Sequence, residues 1–354
     1  MTHNHNFGRL AFFVHTAEMF NHYQAVWRIL GADGFDIVLY GSDKDRAESR
    51  ALAAQLGYRC HDSSAVLQAG YQYDILVSNH NMFRHEKKHL LNSLLGHLQV
   101  RFMYALGKAR HNFSAWNQDY DLILCFGPWQ AERLRECCDA VLFQMGYPRY
   151  DDYFNFPELQ NERPADLGLD PDKETVLWLP TWLELSSISR FADSMAALCP
   201  RYNVIVKTHP LSASAEPQAL AILEQYSFTA VITHVYDNLS LLRCADYVVS
   251  DYGGTAFGAI YLDKKLILLN VPNAEQDSLT GEESPDVLLR QDIVNLDMDT
   301  RWQLPELLEN PKIWAEQAET RQRLRRHYFA PTYGFSAELA ALALQNIETL
   351  LKQG

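Results

Sequence analysis

The chain has no surplus of positive charge. Its formal net charge is −13 at pH 7, which speaks against a generic nucleic-acid binder, because such a protein needs a basic face to displace counterions from phosphates. It lacks paired cysteines as well. Cys60, Cys125, Cys137, Cys138, Cys199 and Cys244 form no Cys-x-x-Cys pair and no metal-ligand spacing, so reduced thiols in a cytosolic compartment are expected. No stretch approaches the ~20 apolar residues of a membrane-spanning helix. The start, Met1-Thr2-His3-Asn4, has no basic region, and the apolar run Leu10 to Val14 is too short for a signal peptide. One local basic cluster, Arg321-Gln322-Arg323-Leu324-Arg325-Arg326, reads as a solvated helix face near a helix C-terminus.

What the sequence does have is an alternation of apolar runs and helical patterns over 354 residues, long enough for two cores. Strands are expected at residues 9–14, 35–40, 73–78, 100–105, 121–126 and 140–144. Helices are expected from about Phe20 to Leu30, Arg46 to Leu56 and Lys87 to Leu98. A polar stretch from Phe156 to Asp172 reads as a connection. The alternation then resumes with strands at 175–179, 203–207, 230–233, 247–249 and 265–270, and a last helix from Phe335 to Leu351. The expected fold is therefore α/β, with two doubly wound domains. The boundaries are set at 1–160, 161–333 and, for the C-terminal helix, 334–354.

Ligands of doubly wound sheets lie beyond the carboxyl ends of the strands, and the residues at those exits are chemically pointed. In the second half they are Thr181, then Lys207 with His209, then Ser250-Asp251-Tyr252-Gly253-Gly254-Thr255. A strand, a pair of glycines and a helix start make an anion cradle of outward backbone N–H groups, which the helix dipole reinforces. An ammonium, an imidazole and several hydroxyls beside it suit a diphosphate. Metal ligation is not demanded, since cationic groups and the dipole carry the charge. In the first half the exits hold His15, Ser78 with His80, and Tyr104 to His111.

These residues carry a family resemblance. Leu179-Pro180-Thr181-Trp182, Val204-Ile205-Val206-Lys207-Thr208-His209-Pro210 and Ser250-Asp251-Tyr252-Gly253-Gly254-Thr255 resemble, in order, motifs of the CDP-glycerol glycerophosphotransferases, the teichoic-acid-polymerase-like family. Weaker matches are Gly146-Tyr147-Pro148-Arg149-Tyr150-Asp151, Asp263-Lys264-Lys265-Leu266-Ile267 and Tyr333-Gly334-Phe335-Ser336. The resemblance implies a GT-B fold, its two domains facing a central cleft with the last helix packing back across both. It implies transfer of glycerol phosphate, or a related alcohol phosphate, from a CDP-activated donor to a hydroxyl of a surface polymer, with CMP leaving and no cofactor required. His209 and Lys207 would serve the diphosphate catalytically. Thr181, Ser250, Asp251, Gly253, Gly254 and Thr255 would bind it. The acceptor would be a polymer or lipid-linked chain, in a cytoplasmic enzyme with room for peripheral contact at the inner face of the cell membrane.

The sequence departs from the family at one place. Where relatives carry a His-Gly pair, read as the base that activates the acceptor, this chain has Tyr104-Ala105-Leu106-Gly107-Lys108. His111, His80, His15 and Asp251 are the candidates to replace it, and His111 is carried forward in the site. The competing readings are a GT-B glycosyltransferase using a nucleotide sugar and a non-catalytic partner in a capsule or teichoic acid assembly complex.

Overall fold

The structure is a computed structural model, and residues 7–84, 89–210 and 212–353 are described. The chain divides into two compact units. Unit 1 comprises residues 1–104, 115–151 and 330–354, and unit 2 comprises residues 105–114 and 152–329.

Unit 1 is built on seven parallel strands: β1 (Leu10–Val14), β2 (Asp36–Leu39), β3 (Cys60–Asp62), β4 (Tyr73–Ser78), β5 (Gly96–Phe102), β6 (Leu122–Cys125) and β7 (Val141–Gln144). Their order in the sheet is β3-β2-β1-β4-β5-β6-β7. The inner strands are continuous apolar runs because both faces are covered, as in β1, where all five residues are buried. Helix Met19–Leu30 lays Phe20, Tyr23, Val26 and Trp27 on the sheet and stops at Gly31, whose φ of 76° suits glycine. Helix Asp43–Gln55 begins three residues earlier than the apolar pattern suggests, because Ser42 and Asp45 form a capping box.

One expected helix is shorter than its pattern. Leucines at 90, 91, 94, 95 and 98 have helical spacing, yet only Leu91–Leu95 is helical, and β5 starts at Gly96. The reason is steric: a Cβ at Gly96 would stand 2.5 Å from the Cβ of Leu76 on β4, so glycine lets the two strands close. Lys87 and Lys88 lie outside the described residues. The C-terminal helix is likewise two pieces, Ser336–Gln345 and Ile347–Leu351, joined at Asn346. Its first piece packs on helix Met19–Leu30. It is seated by Gly146, whose φ is +87° and whose absent Cβ leaves room for Thr332 and Ser336. The Ser336 hydroxyl accepts from Tyr147 N–H, and Asp151 Oδ2 accepts from Ala337 N–H at 2.6 Å. Burial pushes the Asp151 carboxyl up to about 7.

Unit 2 has six parallel strands: β8 (Thr175–Leu179), β9 (Asn203–Lys207), β10 (Ala230–Ile232), β11 (Tyr247–Ser250), β12 (Lys265–Leu269) and β13 (Asn295–Leu296). Their order is β10-β9-β8-β11-β12-β13. Trp178, Phe191, Met195, Val204 and Val206 lie in a core that includes Leu304, Leu308 and Trp314. The basic cluster on helix Pro311–Tyr328 is not simply a solvated face. Arg321 is buried and bonds Asp263, and Arg323 pairs with Asp292. Among the described residues no helix is long and apolar enough to cross a membrane.

Candidate functional site

The strand order of unit 2 reverses at β8, which pairs with β9 on one side and β11 on the other. The carboxyl ends of β8 and β11 therefore mark the switch point, where doubly wound folds hold ligands. β8 exits through Pro180-Thr181-Trp182, and β11 exits into the hexamer that begins at Ser250.

The hexamer is held from inside. Asp251 is fully buried, and its carboxylate accepts from Thr181 N–H at 2.8 Å, Ser187 N–H at 2.9 Å, the Ser187 hydroxyl at 2.8 Å and Tyr252 N–H at 2.8 Å. Burial raises its pKa to about 6 against the pull of those donors. Asp251 thus ties the β8 exit to the β11 exit. Arg290 fastens the same turn from another side. Its guanidinium lies 3.5 Å from the centre of the Tyr252 ring and donates to the carbonyls of Asp251 and Leu269 at 2.9 and 3.0 Å.

What faces outward is the turn itself. Gly253, with φ 131°, precedes helix Gly254–Tyr261, and a Cβ there would come 3.7 Å from Thr181 Oγ1. Gly253, Gly254 and Thr255 are half-buried, whereas the remainder of the helix is buried. The Ser250 and Thr255 hydroxyls lie 2.8 Å apart.

The cations gather about Trp182, the residue after Thr181. Lys207 ends β9 and is 5% exposed. Two residues on, the His209 ring stacks on Trp182 with centroids 5.2 Å apart and planes 11° from parallel. Trp182 is shared with Lys108, whose Nζ lies 5.8 Å from the indole centroid. Burial, with the charges of Lys108 and Lys207, lowers the His209 pKa to about 3. Lys108 is itself lowered by burial, with Asp286, Asp277 and Asp251 opposing.

Lys108 belongs to unit 2 because residues 105–114 leave the first sheet and join the second unit. The excursion is anchored by backbone. Ala109 N–H donates to the Ser284 hydroxyl at 3.0 Å, and His111 N–H to the carbonyls of Lys108 and Leu279 at 3.0 and 3.3 Å. Lys108 sits in the left-handed region, φ 58° and ψ 58°, a conformation uncommon for a side-chain-bearing residue and one that sites with a task often hold. Ala105 lies over the glycine turn, with its Cβ 3.5 Å from where a Cβ of Gly254 would be.

Unit 2 therefore brings together Thr181, Lys207, His209 and the hexamer, as their strand exits suggest, and adds Lys108 and Arg290. His111 is half-buried on helix Ala109–Asn112 of the same unit. His15 and His80 belong to unit 1. Among the described residues no group of three or more His, Cys, Asp or Glu side chains is placed to hold a metal ion.

Two doubly wound parallel-sheet units in one chain define the GT-B class of fold, and the second carries a cationic, glycine-turned cradle at its switch point. Residues 111–275 match the model of the CDP-Glycerol:Poly(glycerophosphate) glycerophosphotransferase family, the family whose motifs the sequence resembles. The chain is 25% identical over 190 residues to the teichoic acid poly(glycerol phosphate) polymerase of Bacillus spizizenii, a match over 49% of this chain and 46% of that protein, so it spans about half the length of that relative. The solved wall teichoic acid polymerase TagF superposes with a TM-score of 0.65 at 14% identity, covering 97% of this chain and 89% of that one. A UDP-N-acetylglucosamine 2-epimerase shares the fold too, with a TM-score of 0.60 at 11% identity over 97% and 96% of the two chains.

Proposed function

We propose that the protein transfers glycerol phosphate from CDP-glycerol to a hydroxyl of a growing surface polymer and releases CMP. The observation that carries this reading is the gathering of Lys108, Lys207 and His209 about Trp182, the residue after Thr181, whose hydroxyl oxygen lies 3.7 Å from where a Cβ of Gly253 would be. The reaction asks mostly for charge neutralisation on non-bridging phosphate oxygens and for positioning, and this cradle offers both. Thr181, Ser250, Gly253, Gly254 and Thr255 hold the diphosphate through hydroxyls and N–H groups. Asp251 and Arg290 keep those groups in place.

His209 has a conditional part. With two ammonium groups near it and no anion it stays neutral. A bound diphosphate offsets their charge, so the imidazole can take a proton and stabilise the charge that develops on departing CMP. The reading carries with it a polymer or lipid-linked acceptor, and a cytoplasmic enzyme in peripheral contact with the inner face of the membrane.

The test is a donor screen with a glycerol phosphate oligomer as acceptor. Release of CMP from CDP-glycerol, with growth of the oligomer, supports the reading. Release of a nucleoside diphosphate from a sugar nucleotide, with CDP-glycerol untouched, sinks it in favour of a glycosyltransferase.

A further inference from the structure

Lys108 reaches the site without a motif, and the groups that bear on its charge all belong to unit 2. It is half-buried. Among the described residues its ammonium makes no hydrogen bond and no ion pair, and it lies 5.8 Å from the centre of the Trp182 ring. Burial favours the neutral amine and lowers the Lys108 pKa. Three carboxylates oppose that loss, Asp286 most, then Asp277 and Asp251. The other titratable groups here are His209, stacked on the same indole, and Lys207.

Asp286 differs from the other two in how little it is bonded. Asp251 accepts from four donors, and Asp277 Oδ1 accepts from Leu279 N–H, Thr280 N–H and the Thr280 hydroxyl. Asp286 is 1% exposed. Its Oδ1 accepts from the Ser284 hydroxyl, but its Oδ2 is enclosed with no hydrogen-bond partner among the described residues. A buried carboxylate oxygen left in that state is costly and asks for an explanation. Oδ2 lies against the chain at Gly107, where a Cβ would stand 2.6 Å from it. Glycine thus lets the excursion pass directly over the carboxylate, and the next residue is Lys108. Ser284 holds the far side, accepting from Ala109 N–H at 3.0 Å while it donates to Asp286. Arg290 donates to the carbonyl of Asp286 and, at 2.9 Å, to that of Asp251, so carboxylate, lysine and hexamer turn share one network.

We propose that Asp286 is a positioning residue for the diphosphate: from beneath Gly107 it keeps Lys108 in place and charged, and leaves the ammonium donors open to phosphate oxygens. The proposal rests on the reading under Proposed function. A direct ion pair would occupy those donors. A carboxylate under the backbone acts through its field alone, so all three N–H groups stay available to an anion. Burial raises the Asp286 pKa, with the Ser284 hydroxyl and Arg290 opposing. The phenols that feel its charge, Tyr252 and Tyr328, are raised above their ordinary range by burial and stay neutral beside it.

The experiment uses the full chain, its Asp286→Asn variant, CDP and inorganic pyrophosphate. Trace acylation of lysines, read by mass spectrometry across a pH series, reports the ionisation of Lys108 in the wild type and needs no variant to fold. Lys108 should remain charged at about pH 8, and pyrophosphate should protect it from the reagent. A Lys108 that is neutral at that pH, or that pyrophosphate leaves unprotected, overturns the proposal. D286N keeps the shape of the side chain and removes its charge. It should lower the Lys108 pKa by about one unit and move the alkaline fall of pyrophosphate affinity down with it, while affinity at about pH 6 stays no weaker than that of the wild type. Comparing the two proteins at each pH cancels the probe's own titration. A folded D286N whose Lys108 titrates as in the wild type overturns the proposal, and so does an equal loss of affinity at every pH, the mark of a merely structural role. A wild type that binds no CDP, yet whose Lys108 is protected by pyrophosphate and responds to D286N, fails the donor reading and supports this one.

Discussion

His209 stands between two ammonium groups and against an indole, and this surrounding has a measurable signature. Its folded pKa of about 3 lies below the ordinary value of 6.5, so the folded state binds fewer protons than the unfolded chain between those values. The stability it contributes is present above pH 6.5 and is lost as pH falls toward about 3. In urea titrations the wild type should therefore lose stability relative to His209→Gln as pH drops through that window, and a flat difference would refute the depression. Lys108→Met should raise the His209 pKa, followed by NMR, because one opposing charge is gone. The same variant should weaken CDP binding about tenfold, read by calorimetry, the equivalent of about 1.4 kcal/mol. At this scale the sequence was legible where a strand exit is also a motif: Lys207, His209 and the hexamer each end an apolar run. Lys108 follows a stretch that had lost its expected histidine, and only its place beside Trp182 marks it. Arg290 had no signal, being a lone cation between leucine and glutamine whose partners are mostly carbonyls far away in the chain.

Among the elements, the excursion 105–114 and the hexamer turn bear the tightest constraints. A Cβ at Gly107 would fall 2.6 Å from Asp286 Oδ2 and 3.0 Å from its Cγ. Asp286 is almost fully buried and anchored to Ser284 and Arg290, so Gly107→Ala should destabilise unit 2 by about 1–3 kcal/mol in urea unfolding. Asp251→Asn should cost more, about 2–4 kcal/mol, because one carbonyl oxygen and an NH₂ group replace a carboxylate that takes hydrogen bonds from four donors. Loss of CDP binding in a variant that still folds would show that Asp251 positions the turn. The strands themselves were readable to within a few residues, because buried parallel strands are unbroken apolar runs. β3 and β13 were not. They are three and two residues long, and Cys60-His61-Asp62 and Asn295-Leu296 show no apolar run to find.

At the level of the whole molecule, the chain passes between the units four times, near residues 104, 114, 151 and 329. No local pattern announces such crossings, since they are decided by which core a segment completes. The last of them matters for stability. Ala337, Ala340, Ala341, Leu344 and Ile347 are buried, and removal of residues 330–354 strips that cover from helix Met19–Leu30 and leaves Asp151 without the Ala337 N–H. Hydrogen exchange on the truncated protein should show protection lost through β1 and helix Met19–Leu30 and kept in β8, β9 and β11, with CDP still bound. Uniform loss in both units would contradict that division.

The return of the chain at Ala330 also sets an order of events during synthesis. The nascent chain delivers all seven strands of unit 1 first, but the segment that caps them emerges after every residue of unit 2. Domains close when their last essential piece is available. The half of the protein that is translated first therefore lacks its cover until the last residues emerge, and until then the apolar face of helix Met19–Leu30 is exposed.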